Sequence, residues 1–364
     1  MRYFDKATIE RVRRGYYSAV YFNRAKEILL KEKNLKEATM QIFQKKEGSI
    51  LCGVMEVMEL LKVGTGYFDP PSSRLNRDYG EARWIDKSGE LEVRSLVDGD
   101  RLNSWETVMH ISGPYAYFAH LESLYLGILA RRTMVATNTK KCVEAADGVP
   151  VIFFGDRFDY FLNQEGDGYA AKIGGAQAVC TEAMSKGFGE VPVGTIPHSL
   201  IALTGGDTVK AADLFHKYYP NVNLIALVDF ENDSLKTSLE VARKMGKKLW
   251  GVRLDTAGEV TDKSIKYKKE DLNGVNPYLV RAVREALDKE GFSHVKIVVS
   301  GGFYTEKIKK FTKEKVPVDA YGVGSAIIVG ENDFTADIVD VEGKSMAKVG
   351  RNYKANSRLQ RRSL

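Results

Sequence analysis

The stretch 247-KKLWGVRLD-255 decides the fold: a lysine pair leads into an apolar run that ends on an arginine and an aspartate two residues apart. The run reads as a strand. Side chains of a strand alternate faces, so Arg253 and Asp255 point one way while Val252 and Leu254 point the other. A cation and an anion therefore project together from the carboxyl end of the strand, which is where open and barrelled α/β folds bind their ligands.

The same texture surrounds this stretch. From Val149 onward the chain repeats strand, loop and helix at about the ~30-residue scale of a βα unit. The strand candidates are VPVIFF (149–154), VPVGT (191–195), NLIALVDF (223–230), KLWGVRLD (248–255), VKIVVSGG (295–302) and DAYGVGSAI (319–327). Each is rich in Val, Ile and Leu, as strands covered on both faces are. Amphipathic helices lie between them. One is SLKTSLEVARKMG, with Leu235, Leu239, Ala242 and Met245 at helical spacing and a stop at Gly246; another runs from Tyr278 to Leu287 and stops near Gly291. This pattern predicts a parallel α/β barrel, with an open doubly wound sheet as the alternative.

Up to Gly113 the texture differs. An opening helical region is followed by ATMQIFQK, which alternates, and by LEVRSLVDGDRL and WETVMHI, strands around an Asp98-Gly99-Asp100 turn. PYAYFAHLESLYLGILARR then reads as one long apolar helix bridging two domains. The expected organisation is an α/β sandwich-like domain over 1–113 that part of the tail completes, a catalytic α/β barrel over 114–335, and a basic segment over 336–364.

Composition sets the outer bounds. With 364 residues, 44% hydrophobic and 28% charged, the chain exceeds the roughly 250–300 residues at which single cores stop growing. The opening MRYFDKATIERVRRGYY carries charge throughout, unlike a signal peptide, and no run approaches the ~18 apolar residues of a membrane span. A cytoplasmic protein without a membrane partner is expected. Cys52, Cys142 and Cys180 are odd in number and far apart, which predicts neither a disulfide nor a structural zinc. Beyond Glu342 the tail holds Lys344, Lys348, Arg351, Lys354, Arg358, Arg361 and Arg362 and no acid. Two readings stand for it: a solvated, frayed terminus, or a surface that meets the phosphates of a nucleotide or nucleic acid.

The strand ends are polar in a coherent way. They carry Phe154-Gly155-Asp156-Arg157, Thr195 leading to His198, Asp229, Arg253 with Asp255, Ser300-Gly301-Gly302 and Gly322-Val323-Gly324-Ser325. Two glycine turns after consecutive late strands let backbone N–H groups converge on a phosphate. A guanidinium forks onto phosphate and a carboxylate accepts from both hydroxyls of a ribose diol, so Arg253 and Asp255 together suit a sugar phosphate. The alternative is a buried Arg–Asp pair that closes the barrel mouth. Asp229 offers a second carboxylate for a Mg²⁺-bound pyrophosphate, and a helix-capping role for it or for Asp233 is open. His198 suits an acid, a base or a nucleophile.

In this order GTIPHS, LVDFENDSLKTSLEVA, GVRLDT, VVSGGF and YGVGS resemble nicotinate phosphoribosyltransferase, particularly its shorter prokaryotic forms, and Gly113-Pro114, Glu122 in HLESLYLG, ATNT at 136–139 and FFGDRF at 153–158 extend the likeness over nearly the whole chain. The resemblance implies an irregular α/β barrel with an open-faced α/β domain, of the type II phosphoribosyltransferase kind. It implies a dimer with shared active sites that joins nicotinate to 5-phosphoribosyl pyrophosphate, with Mg²⁺ and with ATP hydrolysis coupled through a phosphohistidine. By the same resemblance His198 is the phosphorylated residue, Phe154 the face on which the pyridine stacks and Arg157 the neighbour of its carboxylate. Arg253 and Asp255 hold the phosphoribosyl group, and Asp229 lies near pyrophosphate and metal. Thr195 and Ser300 line the site, Gly301, Gly302, Gly322, Gly324 and Ser325 form the 5-phosphate turns, and Tyr21 covers the ring from the second subunit. Ala19 stands where the family usually has an aspartate, and the chain carries no cysteine-rich zinc segment in its tail.

Other readings are nicotinamide or quinolinate phosphoribosyltransferase and, in a different class, a basic nucleic-acid-binding protein. GTIPHS argues against the quinolinate enzyme, which needs no phosphohistidine. The strand-end constellation argues against nucleic acid as a partner.

Overall fold

A computed structural model describes residues 3–69, 82–266 and 272–364. The chain divides into two compact units, Met1–Thr137 with Gly330–Leu364, and Asn138–Val329.

The first unit is built on a six-stranded antiparallel sheet. Its order is Lys344–Ser345, Thr335–Val341, Glu37–Gln44, Glu106–Pro114, Glu92–Ser95, Gln360–Arg362. Met40, Ile42, Val93, Met109 and Ile111 share one core with Val57, Leu60 and Leu61 of the Val54–Gly64 helix and with Tyr125 and Leu129. The alternation expected of ATMQIFQK is absent, because from Met40 to Gln44 every residue is buried. The strand is central, and its second face is covered by the basic tail. Gln41 Nε2 donates to the Asn352 carbonyl (3.2 Å), Gln41 Oε1 accepts from Lys354 N–H (2.7 Å), and the Tyr353 ring stacks on His110 at 4.8 Å.

The tail is therefore not frayed. Three of its seven cations pair with acids of the same unit: Arg351 with Asp337 (2.9 Å), Arg358 with Glu106 (2.7 Å) and Asp100 (3.3 Å), and Arg361 with Glu92 (3.9 Å). Residues Gln360–Arg362 pair with Glu92–Ser95 as an edge strand. The acids that balance the tail lie far away in sequence, which is why its charge looked unopposed.

The long apolar segment after Gly113-Pro114 is broken. A short helix, Tyr115–Phe118, gives way to a 3-10 turn at Ala119–Leu121 before the main helix runs from Glu122 to Ala145, past the end of the apolar stretch. No helix among the described residues is long and apolar enough to cross a membrane.

The second unit carries a curled parallel sheet of six strands, ordered Ala178–Val179, Val151–Phe153, Ala320–Val323, Lys296–Val299, Leu249–Leu254, Leu224–Leu227. The strand expected at VPVGT is irregular instead. Its backbone nevertheless meets both outer strands of the sheet, Val193 N–H donating to Val179 O (2.9 Å) and Ile196 N–H to Ile225 O (3.2 Å). Between strands the helices form as expected. The helix Ser234–Met245 starts on an Asp233 cap and ends at Gly246, whose φ is +54°. Its buried face is Ser234, Thr237, Ser238, Val241, Ala242 and Met245; of the expected stripe Ala242 and Met245 are buried, whereas Leu235 and Leu239 are only half-buried. Small side chains let the helix lie close on the sheet, and the larger leucines flank the contact.

His110, 4% exposed between Gln41 and Tyr353, has its pKa lowered from 6.5 to about 4, first by burial and then by Arg94. Below about 6.5 the unfolded chain takes up a proton that the folded sheet refuses until about 4, so stability falls as pH drops through that interval. His110→Gln should flatten this fall, by up to roughly 2–3 kcal/mol at pH 4, as read from denaturant unfolding curves between pH 7 and pH 4.

Candidate functional site

The inward face of the parallel sheet is set by the two-residue period of its strands. Ile152, Ile225, Val298 and Ala320 form a buried cluster against which Phe154, Ala178 and Val193 pack. Two residues further along the same strands come Phe154, Leu227, Ser300 and Gly322, and these line a cavity of about 650 Å³ at the carboxyl ends. Arg253 sits beside Val298 and Leu227 in register, with Asp255 two residues on, and both line the cavity as their spacing predicts.

Arg253 and Asp255 are joined in a partly buried network. The guanidinium donates from Nε to Ser300 Oγ (2.7 Å), from one terminal nitrogen to Thr195 Oγ1 (3.1 Å) and from the other to Asp255 Oδ2 (3.0 Å). Ser300 Oγ donates in turn to Asp255 Oδ1 (2.6 Å). Each guanidinium nitrogen is thereby given a partner, which is what allows a charge pair with side chains only 18% and 16% exposed to persist. The pair is thus both structural and cavity-lining. Thr195 and Ser300 serve as acceptors for the arginine.

The Phe154 ring is not a bare slab, since the Arg253 guanidinium lies over it at 5.0 Å. Glycines give the aromatic rings of this loop their room. A Cβ on Gly322 would fall 2.5 Å from Phe154 Cε2, and one on Gly324 would fall 2.3 Å from Phe158 Cε2. Gly301 and Gly302 have φ of +81° and +71°, and a Cβ on Gly301 would press on the Thr256 and Asp255 carbonyls at 3.2 and 3.3 Å. The Gly301-Gly302 turn is thus wound tightly against the Arg253–Asp255 strand end.

His198 opens the short helix His198–Leu203 and lines the cavity, half-exposed, with Nε2 3.2 Å from Asp229 Oδ1. Asp229 is bound to this histidine and does not cap a helix, whereas Asp233 accepts from Lys236 N–H as the cap of Ser234–Met245. Burial holds the Asp229 pKa above its ordinary value, His198 opposes this, and the nearby Asp255 charge adds to it. Arg157 and Ser325 also line the cavity. Arg157 is exposed, forms no ion pair among the described residues, and lies 5.8 Å from the centre of the Phe158 ring. Tyr21 lies on the Val20–Lys31 helix of the first unit, with 64% of its surface exposed.

Phe158 and Cys180 belong to the cavity and were not singled out from sequence; Asp156, read as part of the Phe154–Arg157 strand end, lines it too. Phe158 follows Phe154 by four residues in FFGDRF, so the aromatic repeat was the available signal. Nothing local marks Cys180; its thiol lies 3.4 Å from Asp156 Oδ1, and burial pushes its pKa to about 12.

Comparison with known proteins now bears on this geometry. The family model described as quinolinate phosphoribosyl transferase, N-terminal domain, matches residues 19–133. A nicotinate phosphoribosyltransferase of Mycobacterium tuberculosis is 29% identical over 294 residues, covering 78% of this chain and 59% of that protein. The crystal structure of nicotinate-nucleotide pyrophosphorylase from Pyrococcus furiosus is 32% identical, with a TM-score of 0.78 over 97% of this chain and 82% of that one. The chain belongs to the family of this nicotinate-nucleotide pyrophosphorylase. Human nicotinic acid phosphoribosyltransferase, at 16% identity and a TM-score of 0.67 over 90% of this chain and 75% of that one, shares the fold. The chain spans about three-fifths of the length of the Mycobacterium tuberculosis relative.

The raised pKa of Asp229 has a stability consequence. The folded state keeps a proton on this group at pH values where the unfolded chain has lost it, so stability declines as pH rises from the ordinary 3.8 through the raised value. Asp229→Asn should remove that decline and raise the melting temperature at pH 7, at the cost of the His198 contact. Melts at pH 4 and pH 7 should show the gain at pH 7 alone.

Proposed function

We propose that this chain is a nicotinate phosphoribosyltransferase. It joins nicotinate to 5-phosphoribosyl pyrophosphate, giving nicotinate mononucleotide and pyrophosphate, and couples this to ATP hydrolysis through phosphorylation of His198. The observation that carries the reading is a single cavity that holds an Arg–Asp–Ser network, two glycine turns and a histidine braced by a carboxylate.

In the reaction the pyridine nitrogen forms a bond to ribose C1 as the bond from C1 to pyrophosphate oxygen breaks, and the electron pair leaves with pyrophosphate. The protein's task is to position the partners and meet charge where it develops. Asp255, held by Ser300 and Arg253, is placed to accept from the ribose hydroxyls. The turns at Gly301-Gly302 and Gly322–Ser325 receive the 5-phosphate. Arg157, free of any carboxylate among the described residues, meets the nicotinate carboxylate, and the pyridine takes the part of the Phe154 surface that Arg253 leaves uncovered.

Mg²⁺ bound with pyrophosphate would screen the leaving group's charge. Asp229 and Asp255 suit it: the charge of Asp255 contributes to the raised Asp229 pKa, a repulsion that a cation would relieve. The family resemblance supports the finer architecture, an irregular α/β barrel of the type II kind, and the hydrogen bonds of Val193 and Ile196 to the two outer strands agree with it. It also supports a homodimer in which exposed Tyr21 covers the partner's ring site.

A quinolinate reading draws on the family model's description. The cavity favours nicotinate, because of the two arginines that line it among the described residues Arg253 is already committed to three side chains and Arg157 is left for a ring carboxylate.

Side-by-side assays of nicotinate, nicotinamide and quinolinate with 5-phosphoribosyl pyrophosphate test the substrate. Nicotinate should lead by at least roughly ten-fold in kcat/KM, the worth of one charge-assisted hydrogen bond, and Arg157→Gln should shrink the lead; equal or better use of either rival would overturn the assignment. His198→Ala should abolish transfer of label from γ-phosphate ATP to the protein while leaving slow, ATP-independent synthesis. Persistent labelling of that variant would remove His198 from the mechanism. Mixing Tyr21→Ala and His198→Ala subunits should recover ATP-stimulated activity in hybrid dimers; with subunit exchange verified, no recovery would rule out Tyr21 acting across the dimer.

A further inference from the structure

Behind the Gly301-Gly302 turn lies a lysine that the reaction described above does not use. Lys307, in the first turn of the Thr305–Lys313 helix, is half-buried; its Nζ donates to the Gly301 carbonyl at 3.3 Å and lies 4.4 Å from the centre of the Phe303 ring. Phe303 is itself 3% exposed and lines the cavity, packed on Tyr321 and Phe311. Among the described residues no carboxylate lies within ion-pair distance of Lys307. A cation withdrawn from water with only a carbonyl and an aromatic face as partners carries a desolvation cost, and burial indeed lowers its pKa from 10.5. Neighbouring Lys309 and Lys310 are exposed, as surface lysines usually are.

The turn explains what this placement can do. In a trans peptide the carbonyl of one residue and the N–H of the next point in opposite directions. Holding the Gly301 carbonyl toward Lys307 therefore aims the Gly302 N–H away from it, and Gly302 lines the cavity. With φ of +81° and +71°, and no side chain on either residue, this peptide needs an external anchor to keep one orientation. A positive charge on the carbonyl also polarises the peptide, strengthening its N–H as a donor to an anion.

We propose that Lys307 is a positioning residue for the phosphate turn: by pinning the Gly301 carbonyl it orients the Gly302 N–H into the cavity and lends the turn the positive charge that the 5-phosphate meets. This rests on the reading of that turn as the 5-phosphate site.

The test compares Lys307→Met, Lys307→Gln and Lys307→Arg with the unmodified protein. Titration calorimetry measures the binding of ribose 5-phosphate and, separately, of pyrophosphate with Mg²⁺; steady-state assays give KM for each substrate. The Met variant should bind ribose 5-phosphate roughly ten-fold more weakly, the loss of one charge-assisted contact. It should raise KM for 5-phosphoribosyl pyrophosphate by a similar factor, and leave KM for nicotinate and the affinity for pyrophosphate unchanged. The Arg variant should recover most of the loss. The Gln variant keeps a donor without the charge, should fall between Met and Arg, and serves if Met does not fold. Unchanged ribose 5-phosphate affinity in a folded Met or Gln variant would overturn the proposal, as would equal weakening toward pyrophosphate. An unmodified protein that makes nucleotide but does not bind ribose 5-phosphate would place the phosphate elsewhere, and one that makes no nucleotide would instead sink the functional reading on which the proposal rests.

Discussion

The arrangement of the site depends on one partly buried guanidinium. Arg253 reaches from the Leu249–Leu254 strand to Ser300, Thr195 and Asp255, so three separate pieces of chain converge on a single planar fork. A charge held this far from water is tolerated only when its donors are matched, and a point charge such as lysine could not satisfy three partners in one plane. The carboxylate of Asp255 is fixed twice, by Arg253 on one oxygen and Ser300 on the other. A group held that firmly loses little freedom when a ligand arrives, which is the condition for recognition by positioning.

Around this fork the glycines decide what space remains. Gly322 and Gly324 sit where any side chain would collide with Phe154 or Phe158, and Gly301 winds against the backbone of Asp255 and Thr256. The cavity thus has aromatic walls, a charged floor and turns with no side chains at its edge. That combination suits a ligand that is part ring, part sugar and part phosphate. His198 joins the same space at its rim with its side chain 46% exposed, braced by Asp229, whose side chain is 8% exposed.

The first unit shows the same economy with charge. Of the seven cations in the last stretch of the chain, Arg351, Arg358 and Arg361 are received by acids of the same unit, Asp337, Asp100, Glu106 and Glu92. Tyr353 and Lys354 then cover the polar centre of the sheet at Gln41 and His110.

Much of this was written in local sequence. The two-residue period placed Arg253 and Asp255 on one face, the Val- and Ile-rich runs marked five of the six parallel strands, and glycine pairs after the late strands marked the turns, because alternation, burial on both faces and positive φ are properties of a few adjacent residues. Other features depend on residues that are distant along the chain. VPVGT has the composition of a strand, yet it lies as irregular chain between the outer strands, a choice made by the curvature of the sheet and not by its own residues. ATMQIFQK alternates in composition but not in burial, since the tail from some three hundred positions away shields its second face. The helix Ser234–Met245 was legible, but its buried side was set by how closely the sheet beneath it admits small residues. Whether Arg253 stood free for a ligand or tied to the protein could not be read from GVRLDT, because its partners Ser300 and Thr195 come from other strand ends; sequence determined which way the arginine points, and only the folded sheet decided what it holds.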